Sequence, residues 1–198
     1  MKSWNVILGV DVSKLTLDIC HAAGNVHIKI DNCAKGFADL KKWCKVNSID
    51  LKETLVVMEF TGGYEYRFIQ FCESQSIAYS RIPGLEIKRS LGMTRGKNDH
   101  IDSFRIGRYG EEKIKRLEPS KPLNKNILKL KQLLSFRKRL VREKASFEST
   151  VKERKHMYGL NKDDQVTHIA QLKIKADKKY IIRIEQEIMK LIKAMMSY

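Results

Sequence analysis

Two periods of apolar residues divide the chain. Val6-Ile7-Leu8-Gly9-Val10-Asp11-Val12 is almost wholly apolar and predicts a buried strand within residues 4–12. Leu15-Thr16-Leu17-Asp18-Ile19-Cys20 and Val26-His27-Ile28-Lys29-Ile30 alternate instead, with Ala23-Gly24-Asn25 as the turn. Together the three segments predict an antiparallel meander. Phe37, Leu40, Trp43 and Cys44 then recur at helical spacing and predict a helix over residues 35–47. A second buried strand follows at Leu55-Val56-Val57-Met58-Glu59-Phe60. Next comes a helix over 64–75 with Tyr64, Phe68, Phe71 and Cys72 inward. Residues 77–82 predict the last strand, which ends at Pro83-Gly84, and helical patterns run from 85 to 112. This order predicts an α/β mixed sheet with flanking helices, the arrangement of an RNase H-like fold.

Beyond Pro119 and Pro122 only the helical period remains. Ile127, Leu130, Leu134, Val141, Phe147 and Val151 form one stripe, extending to Tyr158. Val166, Ile169, Ala176, Tyr180, Ile184, Ile188, Leu191 and Met195 form another. Gly159-Leu160-Asn161 breaks the pattern, and Asn161 or Asp163 is placed to cap the second helix. A long antiparallel helical hairpin is expected, with domains at 1–118 and 119–198. Such a hairpin cannot bury its apolar stripe alone and is expected to pack on a second copy.

Charge sharpens this division. The 198 residues carry a net charge of +16, yet residues 121–198 hold 20 Lys/Arg against 8 Asp/Glu, a net of +12. A basic extension beside a nearly balanced domain points to a polyanion, with nucleic acid the leading candidate. Four cysteines without a Cys-x-x-Cys pair or clustered histidines argue against a zinc site or a disulfide scaffold. No apolar run approaches the roughly 20 residues that span a bilayer, so no membrane partner is expected. The expected location is the cytoplasm.

Four acids carry the candidate chemistry. Asp11 and Glu59 each end an apolar strand, where a bare carboxylate is costly unless it is paired or binds a cation. Asp99 and Asp102, in Lys97-Asn98-Asp99-His100-Ile101-Asp102, fall near one face of a helix. Brought together, these carboxylates would hold a hard divalent cation, with Mg2+ preferred and Mn2+ able to substitute. The glycine pair of Thr61-Gly62-Gly63 suggests a loop that a phosphate approaches at a helix N-terminus. His100 reads as a helix-surface histidine. Candidate nucleic-acid contacts are Lys14, Lys88, Arg89, Arg95 and Lys97 near the acids, and Arg137, Lys138, Arg139 and Arg142 in the hairpin.

The motifs Gly9-Val10-Asp11-Val12-Ser13-Lys14, Met58-Glu59-Phe60-Thr61-Gly62-Gly63-Tyr64 and Lys97-Asn98-Asp99-His100-Ile101-Asp102, in this order, resemble those of the DEDD transposases of bacterial insertion sequences. These are bridge-RNA-guided recombinases whose N-terminal domain is similar to the junction resolvase RuvC. The resemblance implies that Asp11, Glu59, Asp99 and Asp102 are a magnesium-binding catalytic tetrad. It implies DNA and a structured guide RNA as partners, a hairpin resembling the family's coiled coil, and assembly as a homodimer or tetramer. It also implies a nucleophilic serine in a further C-terminal domain, outside these 198 residues. On that reading the chain is truncated within the hairpin and is expected to be inactive alone. Two alternatives are a non-catalytic nucleic-acid-binding dimerisation module and a stand-alone Holliday-junction-resolvase-like nuclease.

Overall fold

The computed structural model describes residues 4–91, 99–159 and 164–196. They divide into two compact units, Met1–Pro122 and Leu123–Tyr198. The first is a mixed five-stranded sheet with flanking helices, an α/β fold of RNase H type. Strands β1 (Val6–Val12), β2 (Thr16–His21), β3 (Val26–Asp31), β4 (Thr54–Glu59) and β5 (Ala78–Ile82) lie in the order β3-β2-β1-β4-β5. The meander β1–β2–β3 is antiparallel, whereas β1, β4 and β5 are parallel. Helices α1 (Ala34–Val46) and α2 (Tyr66–Ser74) form the two long connections between parallel strands, and α3 (Gly84–Leu91) and α4 (Asp99–Lys113) follow β5.

Both sheet faces are covered, which is why β1 and β4 are nearly continuous in apolar residues. Ile7, Leu55, Val57 and Ile82 pack with Ile87 of α3 and with Ile106 and Tyr109 of α4. The alternate positions Leu8, Val10, Val56 and Met58 are equally buried, and α1 and α2 contribute Phe37, Leu40, Phe68 and Cys72 to the core. The Phe37 and Phe68 rings lie 5.7 Å apart. Tyr64 was expected inward, but α2 starts only at Tyr66, and Tyr64 is exposed on the preceding turn.

In the second unit, α5 (Lys125–Tyr158) and α6 (Gln165–Met196) pack antiparallel. The ion pairs Arg154–Asp164, Lys173–Glu143 and Arg137–Glu185 descend one helix while climbing the other. The seam differs from the expected stripe. Leu140, Ile184 and Ile188 are its buried centre, flanked by Leu130, Leu133, Ile181 and Ile192. Ile127, Leu134, Val166, Ile169 and Tyr180 are exposed instead. Asn161 and Asp163, the expected caps, lie outside the described residues. Asp164 accepts the Thr167 amide at 3.3 Å, as a cap does, and takes two 2.8 Å bonds from Arg154. No helix among the described residues is long and apolar enough to cross a membrane.

Candidate active site

The placement of the acids starts from a glycine contact. A Cβ on Gly9 would lie 2.2 Å from the Gly107 nitrogen and 2.3 Å from the Ser103 carbonyl oxygen. The backbones of β1 and α4 therefore touch, and only glycine fits. Further along α4, a Cβ on Gly110 would meet Ile7 and Val57. As α4 advances from 103 to 110 the contact on β1 retreats from 9 to 7, so helix and strand run in opposite directions. The N-terminal end of α4, bearing Asp99 and Asp102, thus lies toward the Asp11 end of β1.

Strand register adds Glu59. Gly9 pairs with Val57 and Val10 with Met58. Two residues beyond the first pair, on the face that meets α4, come Asp11 and Glu59. The fold therefore carries Asp11, Glu59 and Asp102 to one end and one face of the sheet. The side chain of Asp99 and all of Arg95 and Lys97 lie outside the described residues.

Two of the carboxylates meet other neighbours. Glu59 leans on α3, so that a Cβ on Gly84 would sit 1.8 Å from Glu59 Oε1. Asp102 accepts from Arg105 at 3.3 Å. Among the described residues no three His, Cys, Asp or Glu side chains stand close enough to hold one ion. The donor set nevertheless suits a hard divalent cation, being carboxylate oxygens supplied by three separate elements.

Three supporting residues carried no local sequence signal. Asp18 stands directly opposite Asp11 across β1–β2 and is buried. Two like charges in that position repel. Lys29 Nζ, 3.0 Å from Asp18, offsets its charge, and His27 Nε2, also at 3.0 Å, hydrogen-bonds it. Asn32, also buried, donates to the carbonyls of Ser13 (3.2 Å) and Tyr64 (3.0 Å), tying together the loops that follow Asp11 and Glu59. Glu65 is fully buried and accepts from the Thr61 hydroxyl at 2.5 Å and the Gly63 amide at 2.8 Å. This corrects the expectation of a phosphate loop at Thr61-Gly62-Gly63. A carboxylate already occupies those donors, and it would repel a phosphate.

His100 is exposed, as expected, but its ring packs edge-on against His27, with centroids 4.3 Å apart. Burial, and then His100, hold the His27 pKa below its usual 6.5 despite the Asp18 carboxylate. Of the expected nucleic-acid contacts, Lys14, Lys88, Arg89, Lys138 and Arg142 are exposed. Arg137 and Arg139 are engaged with Glu185 and Glu143 within the hairpin.

Residues 8–156, about three quarters of the chain, match the transposase family of IS110-type DEDD enzymes. The chain belongs to the DEDD transposases. No curated protein matches it. Membership makes the chain a DNA-processing enzyme of transposition, with DNA as a partner, and DEDD transposases typically depend on divalent metal ions. The matched span contains Asp11, Glu59, Asp99 and Asp102, and it ends within α5.

Proposed function

We propose that residues 1–118 are the RuvC-like catalytic domain of this transposase and that Asp11, Glu59, Asp99 and Asp102 are its catalytic and metal-binding residues. The observation that carries the reading is the convergence of three acids, from β1, β4 and α4, at one end and one face of the sheet. When bound, Mg2+ or Mn2+ would supply charge stabilisation at the scissile phosphate. Asp11 and Glu59, fixed on adjacent parallel strands, set the position of the phosphate. Asp102 and Asp99 approach from the start of α4, and exchange of Arg105 for a cation would free Asp102 for this role.

Residues 119–198 are read as a coiled-coil hairpin that joins copies of the chain into a homodimer or tetramer. The exposed Leu134, Phe136, Ile169, Leu172 and Tyr180 support this, since one hairpin leaves them uncovered. Lys14, Lys88, Arg89, Arg95 and Lys97, with Arg137, Lys138, Arg139 and Arg142, would contact DNA and a structured guide RNA. The +12 net charge of residues 121–198 supports such a partner.

Thermal unfolding with and without Mn2+ tests the metal reading, because a ligand bound only by the folded state raises the midpoint. The wild-type midpoint should rise with Mn2+, while Asp11→Asn, which keeps the shape but removes the charge, should not respond. Equal responses from both proteins would defeat the assignment.

A further inference from the structure

A cavity of about 410 Å³ lies between α3 and the C-terminal half of α4, away from the acids. Its lining includes Glu86, Arg89, Ser90, Tyr109, Lys113 and Arg116. The three cations come from α3, from the last turn of α4 and from the segment after it. Among the described residues none of the three is paired with a carboxylate. Glu86 is the one acid in the lining, and the buried Tyr109 fixes it by donating its hydroxyl to Oε1 at 2.5 Å. Three cations against one acid leave an excess of two positive charges in a single concavity. Their mutual repulsion is relieved by an anion.

The donor set selects the anion. Two guanidinium forks match the tetrahedral oxygens of a phosphate, and Lys113 adds a point charge. Placement on the fold selects its source. Helix α3 begins against Glu59, and α4 carries Asp102. Tyr109 and Lys113 lie seven and eleven residues beyond Asp102, roughly 10 and 16 Å along the helix. Successive nucleotides advance about 3.4 Å along one strand of a duplex. A strand seated at the acid end therefore reaches this cavity about three to five nucleotides away.

We infer that the α3–α4 cavity is a phosphodiester-binding site in which Arg89, Lys113 and Arg116 hold the backbone of the nucleic acid on which the acids act. The inference rests on the transposase reading and adds a second contact point, with Lys113 and Arg116 as residues that no motif singles out.

The test measures affinity of the full 198-residue chain for duplex DNA and for structured RNA across a range of salt concentrations. Each phosphate contact contributes about 0.9 to the slope of log affinity against log salt on duplex DNA. The double variant Lys113→Gln/Arg116→Gln should lower that slope by about 1.8. Lys41→Gln/Lys45→Gln, which removes two exposed charges from α1, should lower it by less than half as much. Lys113→Arg, which keeps the charge, should retain the wild-type slope and shows that any loss is not one of folding. Loss on duplex DNA is the expected result, and loss on RNA alone overturns the inference, because the acids do not act on the guide. Wild-type binding with an unchanged slope in the cavity variant overturns the site but leaves the transposase reading intact. Failure of the wild type to bind either nucleic acid overturns both the site and the nucleic-acid contacts proposed above.

Discussion

Gly9 governs how near α4 comes to β1, and through that contact where Asp102 lies relative to Asp11. Any side chain there meets backbone atoms of Ser103 and Gly107, which cannot rotate away. Gly9→Ala should therefore destabilise the domain by about 3 kcal/mol, at the upper end of overpacking costs. Urea unfolding measures this, and an unchanged midpoint would mean that α4 does not rest on β1 as described. His27 gives a pH dependence whose sign is fixed. Its folded pKa is depressed below 6.5, so the unfolded chain takes up a proton first as the pH falls. Its contribution to stability is complete above about pH 6.5 and is lost progressively below it. His27→Gln should flatten the stability profile in that acid window; an unaltered profile would place the effect elsewhere.

At the scale of elements, the strands and helices that deliver the acids were legible in the sequence, because strands buried on both faces are nearly continuous in apolar residues. The residues that fix the intervening loops were not. Glu65 has an ordinary helix-start pattern, and its role depends on Thr61, Gly63 and Arg81, which only the folded chain brings together. Its charge is fully buried, with Arg81 3.8 Å away. Glu65→Ala leaves Arg81 without that partner and frees the loop after Glu59. Removing one member of such a pair costs about 3–5 kcal/mol. Chemical denaturation should show that loss, and a change below about 1 kcal/mol would make the pair peripheral. In the hairpin the expected stripe missed Leu140 and counted Ile127 and Ile169 as inward. A helix of 34 residues drifts relative to a seven-residue repeat, so a stripe drawn at fixed spacing slides off the true seam.

For the whole molecule, the family match covers the acid-bearing sheet and most of α5. The uncovered apolar residues of α5 and α6 bear on assembly. Leu172→Glu with Tyr180→Glu places charge on that face, and sedimentation velocity should then show a smaller species than the wild type at equal concentration. A wild-type monomer would refute hairpin-mediated assembly. The central claim is that Asp11, Glu59 and Asp102 close on one divalent cation. A crystal grown with Mn2+ tests this most directly through the metal's anomalous scattering. The account predicts a peak with Asp11, Glu59 and Asp102 oxygens at about 2.0–2.6 Å, Glu59 withdrawn from Gly84 and Arg105 released. Mn2+ bound elsewhere, with these three carboxylates unmoved, would contradict it.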